Sequence, residues 1–446
     1  MKVPRTRRVR YTVTVKHRIP RLNYVLLSAA VGLSLLPPYL SLAQPAPQAP
    51  QPPTPGGGEL TISVSGLEAR LLPVAIPALR GAGGDQISAV LSNDLRLSAL
   101  FRVLDPHSFT ADLDAEALNI NAPSWATVGA TAVVKGAASG AGDATRVELR
   151  VWEPGSPAAP RLTRSYGPAS PRALAHRIAN DLIQLYTQTP GVFGTRIAFA
   201  RRTGRGRKAV FTVDCDGENL AQVSGTRRLS FMPAWGPGGI YFSSQTPEGF
   251  LALFRQGRAE PVMRADGLVM GAAFSGSRMA VVLTRDGNSE IYVGNTDGSN
   301  LRRLTNDAGA DVSPVWSPDG SRIAFVSDRA GGPQIYVMDA GGGGQRRVSF
   351  TGTYNTSPSW SPDGQLLAYA GRVGGSTDIY TVGVSGGATR RLTENQGTNS
   401  DPTFSPDGRL IAFNSSRGGI FLMNQDGLNQ QRILGGGGET LRWEPR

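Results

Sequence analysis

The stretch Val315-Trp316-Ser317-Pro318-Asp319-Gly320-Ser321-Arg322-Ile323-Ala324-Phe325 decides how this chain is read. Its Ser-Pro-Asp-Gly centre returns at 361–364 and 405–408, 44 residues apart each time, always behind an aromatic: Trp316, Trp360 and Phe404. Weaker copies of the aromatic stand at Trp235, Phe274 and Trp443. A short apolar run follows the turn, as in Ile323-Ala324-Phe325 and Ile411-Ala412-Phe413. Next comes Ile291-Tyr292-Val293, Ile335-Tyr336-Val337, Ile379-Tyr380-Thr381 or Ile420-Phe421-Leu422. Arg302-Arg303-Leu304-Thr305 recurs as Arg346-Arg347-Val348-Ser349 and Arg390-Arg391-Leu392-Thr393. Four short strands in each unit of roughly 40 residues, divided by tight turns, predict the blades of a propeller. Asp-Gly suits such hairpins because both central residues take positive φ. Residues 191–446 hold about six units of this period. The array opens on a second-strand motif, Arg196-Ile197-Ala198-Phe199, and ends on a first-strand motif, Leu441-Arg442-Trp443. The last strand is therefore expected to complete the first blade and remove the open edges.

Upstream the pattern changes. Residues 59–190 predict a small α/β domain, with an exposed strand at Glu59–Ser65 and a buried one at Leu72–Ile76. Asp85 to Ser98 places Ile87, Val90, Leu91 and Leu95 at helical spacing. Short β runs follow at 130–135, 146–152 and 162–166. Pro171 then opens a second helix, striped by Leu174, Ile178, Leu182 and Tyr186, which Pro190-Gly191 ends. Residues 44–58 (QPAPQAPQPPTPGGG) predict a polyproline-II spacer. Residues 1–43 combine a basic start, an apolar run from Tyr24 to Leu36 and Ser41-Leu42-Ala43, the pattern of a secretory signal peptide.

That leader changes the meaning of the charge. The chain carries Lys+Arg 46 against Asp+Glu 34, formally +12, but cleavage after Ala43 leaves 38 basic against 34 acidic residues. The surplus is mostly an export address, and nucleic acid is not an expected partner. One cysteine, Cys215, and three histidines (His17, His107, His176) exclude an intramolecular disulfide and argue against multi-cysteine metal chemistry.

Local motifs give no active site. Gly383-Val384-Ser385-Gly386-Gly387 has the G-x-S-x-G form, yet it occupies a blade turn and no histidine follows residue 176. Asp214-Cys215-Asp216-Gly217 lacks the register of a calcium loop and reads as the same hairpin turn. His176 is expected on the polar side or packing edge of its helix, without a ligand role. The Arg-Arg pairs are expected as solvated residues on outer blade edges, and the repeated aromatics as packing between blades.

The repeats, together with His176-Arg177-Ile178-Ala179-Asn180-Asp181 leading to Gly191-Val192-Phe193-Gly194-Thr195-Arg196-Ile197-Ala198, resemble the TolB family. That family is the periplasmic component of the Tol-Pal system of Gram-negative bacteria. Ser92-Asn93-Asp94-Leu95 with Ser98–Phe101 adds to the match. The resemblance implies a two-domain chain: a small N-terminal α/β domain followed by an all-β six-bladed propeller closed by the C-terminal strand. It further implies a monomeric, non-enzymatic periplasmic adaptor without cofactor or metal. Such an adaptor links inner-membrane TolA to the outer-membrane lipoprotein Pal and supports envelope integrity and constriction at division. Glu59, Leu60, Thr61, Ile62, Ser63 and Val64 resemble the family's TolA-binding stretch, and their alternation suits strand addition. The Pal site corresponds to the propeller mouth, at Asp311, Val312, Asn355, Thr356, Asn399 and Ser400. The Pro-rich spacer, a weak second blade (Tyr241 to Ser275) and the Gly runs at 341–344 and 435–438 depart from the family pattern. Two alternatives remain: a free-standing ligand-binding propeller, and a hydrolase-associated propeller, for which a chain closing at Arg446 offers no hydrolase domain.

Overall fold

The computed structural model describes residues 71–225 and 228–446. The signal peptide, the spacer and the Glu59–Val64 segment lie outside the described residues.

The α/β domain is one five-stranded sheet. Its strands are β1 (Leu72–Ala75), β2 (Phe101–Val103), β3 (Ala132–Ser139), β4 (Thr145–Trp152) and β5 (Leu162–Ala169), in the order β2-β1-β3-β4-β5. β1 runs parallel to β2 and β3, whereas β3, β4 and β5 form an antiparallel meander. Helices α1 (Gly84–Leu97) and α4 (Pro171–Thr187) cover one face with the apolar stripes seen in the sequence: Ile87, Leu91 and Leu95 against Leu174, Ile178 and Leu182. Ser170 caps α4 and Pro171 occupies its first turn, where a missing N–H costs nothing. The opposite face is covered by two short helices that periodicity did not reveal, α2 (Leu113–Glu116) and α3 (Ala122–Thr127). α3 inserts Trp125 into that smaller core, its indole donating to Glu116, which also pairs with buried Lys135 at 2.7 Å.

Six antiparallel sheets form the propeller. Each blade starts with a strand beside the central axis, and the third, fourth and fifth end with the short Arg-Arg strand at the rim, as in Asp311–Trp316, Arg322–Ser327, Gln334–Asp339 and Arg346–Arg347. The C-terminal strand Glu439–Trp443 pairs with Arg196–Gly204, so the first blade is built from both ends of the array. In the weak second blade the rim strand is reduced to a single bridge between Leu253 and Met263.

The repeat period has a structural cause. Trp316 donates its indole N–H to the Ala273 carbonyl, Trp360 to Val315 and Trp235 to Arg442, at 3.2, 3.1 and 2.9 Å. Each tryptophan thus ties its blade to the inner strand of the preceding one. Every inner strand also carries a bulge at which one residue adopts positive φ: Met232, Gly271, Ser313, Ser357, Asp401 and Thr440, between 51° and 58°. A bulge adds twist and re-aims side chains. These six residues form the waist of the axial channel.

The connections fall on two faces. Links between blades, and hairpins joining second to third strands, open on an entry face. The Ser-Pro-Asp-Gly turns and third-to-fourth hairpins open on the other, the turn face. The α/β domain touches the turn face through the first and sixth blades: Arg409 donates to Thr187, and Val192 and Phe193 share one core with Ile197, Leu410 and Trp443.

Candidate functional site

Asp311, Asn355 and Asn399 begin or nearly begin inner strands at the entry face, where the sequence reading put a partner contact. Their side chains correct that reading, because all three are 0% exposed. Asn355 donates to Gln334 at 2.7 Å and to the Thr351 carbonyl at 2.8 Å. Asn399 donates to Asp378 at 3.3 Å, and Asp311 accepts from Arg329 at 2.7 Å. Gln334 and Asp378 belong to the preceding blade, so both asparagines are clamps between blades. A short polar side chain suits a partner surface and a buried interblade hydrogen bond equally well, and local sequence cannot separate the two. Val312, Thr356 and Ser400 are half-buried beside them.

The same clamps revise the reading of the Arg-Arg pairs. The first arginine of each pair is exposed as expected. In two of the three pairs the second turns inward: Arg303 pairs with buried Glu290 at 2.7 Å and Arg391 with buried Asp378 at 2.6 Å. Thr305 and Thr393 add hydroxyl donors to these carboxylates.

The exposed surface at the entry face comes from residues that the repeat pattern does not single out. Phe350 is 73% exposed and Phe250 63%, with Tyr354 and Val373 also exposed. Phe350 and Tyr354 share the link between the fourth and fifth blades, and Val373 ends the strand whose Arg372 pairs across from Tyr354. Arg347 stacks on Phe350 and Arg372 on Tyr354, with the guanidinium carbons 5.1 and 5.0 Å from the ring centres. Aromatic rings bearing arginines are what binding hot spots are made of. The missed signal was the break in the repeat: Phe350-Thr351-Gly352 stands where Asn306-Asp307-Ala308 and Glu394-Asn395-Gln396 stand in neighbouring blades.

A second polar cluster lies where the α/β domain meets the first blade. His176, expected at a polar edge, is buried, and its Nδ1 lies 2.7 Å from Asp94 on α1. Its Nε2 faces Asp216 at 3.9 Å, and Arg172 donates to both Asp216 oxygens. Asp216 belongs to the Asp214–Gly217 turn, which is therefore a domain contact as well as a hairpin. Gly217 allows it, since a Cβ there would lie 2.1 Å from the Ile433 carbonyl oxygen. Asp94, His176 and Asp216 form the one group among the described residues whose ligating atoms lie close enough for a metal ion. The fit is poor, because the carboxylates face different ring nitrogens and Arg172 already holds Asp216. The arrangement is that of a buried polar chain joining the domains, anchored by the Arg172–Asp216 ion pair.

Burial pushes the Asp94 carboxyl up to about 6, while the hydrogen bond and charge of His176 pull it down. A carboxyl raised on folding holds a proton that the unfolded chain has lost. The associated stability is full below the unfolded value near 4 and disappears as pH climbs through about 6. Urea melts of the wild type and of Asp94→Asn between pH 4 and 7.5 are expected to show their stability difference moving in the variant's favour by about 3 kcal/mol. A pH-independent difference would contradict this assignment.

These features define a class: a β-propeller carrying an α/β domain on one face and a rigid, aromatic-bearing loop surface on the other. The chain belongs to the TolB family, whose amino-terminal domain matches residues 60–154 and whose beta propeller domain matches residues 183–374 and 355–445. Tol-Pal system protein TolB of Anaeromyxobacter dehalogenans strain 2CP-C is 40% identical over 291 residues, covering 61% of this chain and 64% of that protein. The Gluconobacter oxydans strain 621H protein of the same name is 32% identical over 300 residues, covering 64% and 63%. The chain thus spans somewhat under two thirds of the length of these relatives. The crystal structure of TolB from Acinetobacter baumannii superposes with a TM-score of 0.72 at 26% identity, over 84% of this chain and 97% of that one.

Proposed function

We propose that this chain is a periplasmic, non-enzymatic adaptor of the Tol-Pal system that links TolA to Pal. In that role it supports outer-membrane integrity and constriction at division. The observation carrying the proposal is the pairing of a TolB amino-terminal domain with a propeller whose entry face bears exposed aromatics. Pal docks on the entry face, around Phe350 and Tyr354, with half-buried Val312, Thr356 and Ser400 nearer the axis. Loops on a stiff scaffold suit this task because little chain entropy is lost when they bind. TolA is taken by the segment Glu59–Val64, beyond the signal peptide 1–43 and the spacer 44–58, by strand addition.

Deleting residues 44–69 from the mature protein tests the division of labour. Capture of a soluble TolA domain is expected to vanish while binding of a soluble Pal domain persists. Unchanged TolA capture would remove the segment from the proposal, and failure of the intact protein to bind Pal would remove the adaptor reading itself.

A further inference from the structure

Each inner strand has one position directly before its aromatic: Ala234, Ala273, Val315, Ser359, Thr403 and Arg442. Five of the six are short. The sixth puts an arginine at the level where the channel opens on the turn face. These positions and the aromatics beyond them line a cavity of about 610 Å³, and Arg442 also lines the waist beneath it. That volume lies inside the range of about 300–1,000 Å³ typical of small-molecule sites. Four of the chain's tryptophans, Trp235, Trp316, Trp360 and Trp443, contribute to the wall.

The guanidinium of Arg442 is poorly matched by its own protein. It has five N–H donors, and among the described residues its one hydrogen bond is from Nη1 to the Leu441 carbonyl, at 2.8 Å. No carboxylate forms an ion pair with it among the described residues. Asp401 is the acid whose charge reaches it, but that carboxylate accepts hydrogen bonds from Ser357 at 3.0 Å and Ser400 at 2.9 Å. Glu444, also on the wall, is held by Arg196 at 2.8 Å. Arg442 is half-buried at the cavity wall, and burial lowers the guanidinium's pKa. A planar fork of free donors beside aromatic walls matches a carboxylate attached to a flat apolar body.

We propose that the turn-face mouth of the channel binds a small aromatic carboxylate, with the carboxylate on Arg442 and the ring against the Trp and Phe wall. The site is separate from the entry face and does not depend on the adaptor reading.

Calorimetric titration of the mature protein with phenylacetate, and with neutral phenylacetamide for comparison, tests this. The wall tryptophans supply a fluorescence readout of the same event. Saturable binding of phenylacetate is expected, with the amide weaker by about tenfold or more. Arg442→Gln is expected to bring the two ligands to equal, weak affinity, while Arg442→Lys keeps part of the preference for the acid. Equal affinity of acid and amide for the wild type would overturn the proposal, whether or not any variant folds. So would saturable phenylacetate binding unchanged in a folded Arg442→Gln protein, or no binding at millimolar phenylacetate.

Discussion

Removing residues 440–446 is expected to unfold the propeller instead of trimming it. The deleted stretch carries Leu441, fully buried, and Trp443, buried in the core that the first and sixth blades share with the α/β domain. It also holds the pairings Arg442 with Ala198 and Trp443 with Ile197 that close the ring. The Trp443 indole donates to Thr195 at 2.8 Å, and Glu444 pairs with Arg196. Trp443→Ala alone should cost about 3–5 kcal/mol. The full deletion removes that contribution, the ladder bonds and the Leu441 packing, against a total stability of about 5–15 kcal/mol for a typical domain. Calorimetric melts check it. A truncated protein melting at the wild-type temperature would mean that the ring does not depend on its terminal strand.

The second large effect separates binding from stability. Phe350→Ala combined with Tyr354→Ala is expected to weaken binding of a soluble Pal domain by about 2–4 kcal/mol, or roughly 30- to 1,000-fold. Both side chains are exposed, so the melting temperature should hardly move. Asn355→Ala and Asn399→Ala should behave in the opposite way. Each removes one interblade hydrogen bond, at about 0.5–1.5 kcal/mol of stability per bond, since Ser349 still donates to Gln334 and Thr393 to Asp378. The folded fraction is expected to keep its affinity for Pal. Titration and urea melts of both pairs give four numbers. Pal affinity lost in the asparagine pair and retained in the aromatic pair would return the contact to the residues first suspected.

Much of the fold was legible because its determinants are local and repeated. Hairpin geometry is set by the Asp-Gly and Ser-Pro-Asp-Gly turns themselves, and helix α4 by Ser170, Pro171 and a stripe of apolar residues. The phase of the motifs even predicted ring closure, since the array opens on a second-strand motif at Arg196 and carries a lone first-strand motif at Trp443, and those two strands pair. The small helices α2 and α3 were not legible, because neither is long enough to display a period. At the entry face, sequence named residues for the proposed contact but could not tell which of them are buried. Asn355 is buried because Gln334 of another blade reaches it, and Phe350 is exposed because its link runs outside the blade. The second shows locally only as the break in the repeat at Phe350, and the first is not written within a few residues of Asn355. Nor is the pairing of His176 with Asp94, 82 positions earlier, and with the Asp216 turn in the next domain. Turn chemistry and alternation act between neighbours in the chain and can be read from it. Burial, ion pairing and the place of Arg442 at the channel mouth depend on what folding brings alongside, and only the assembled ring decides them.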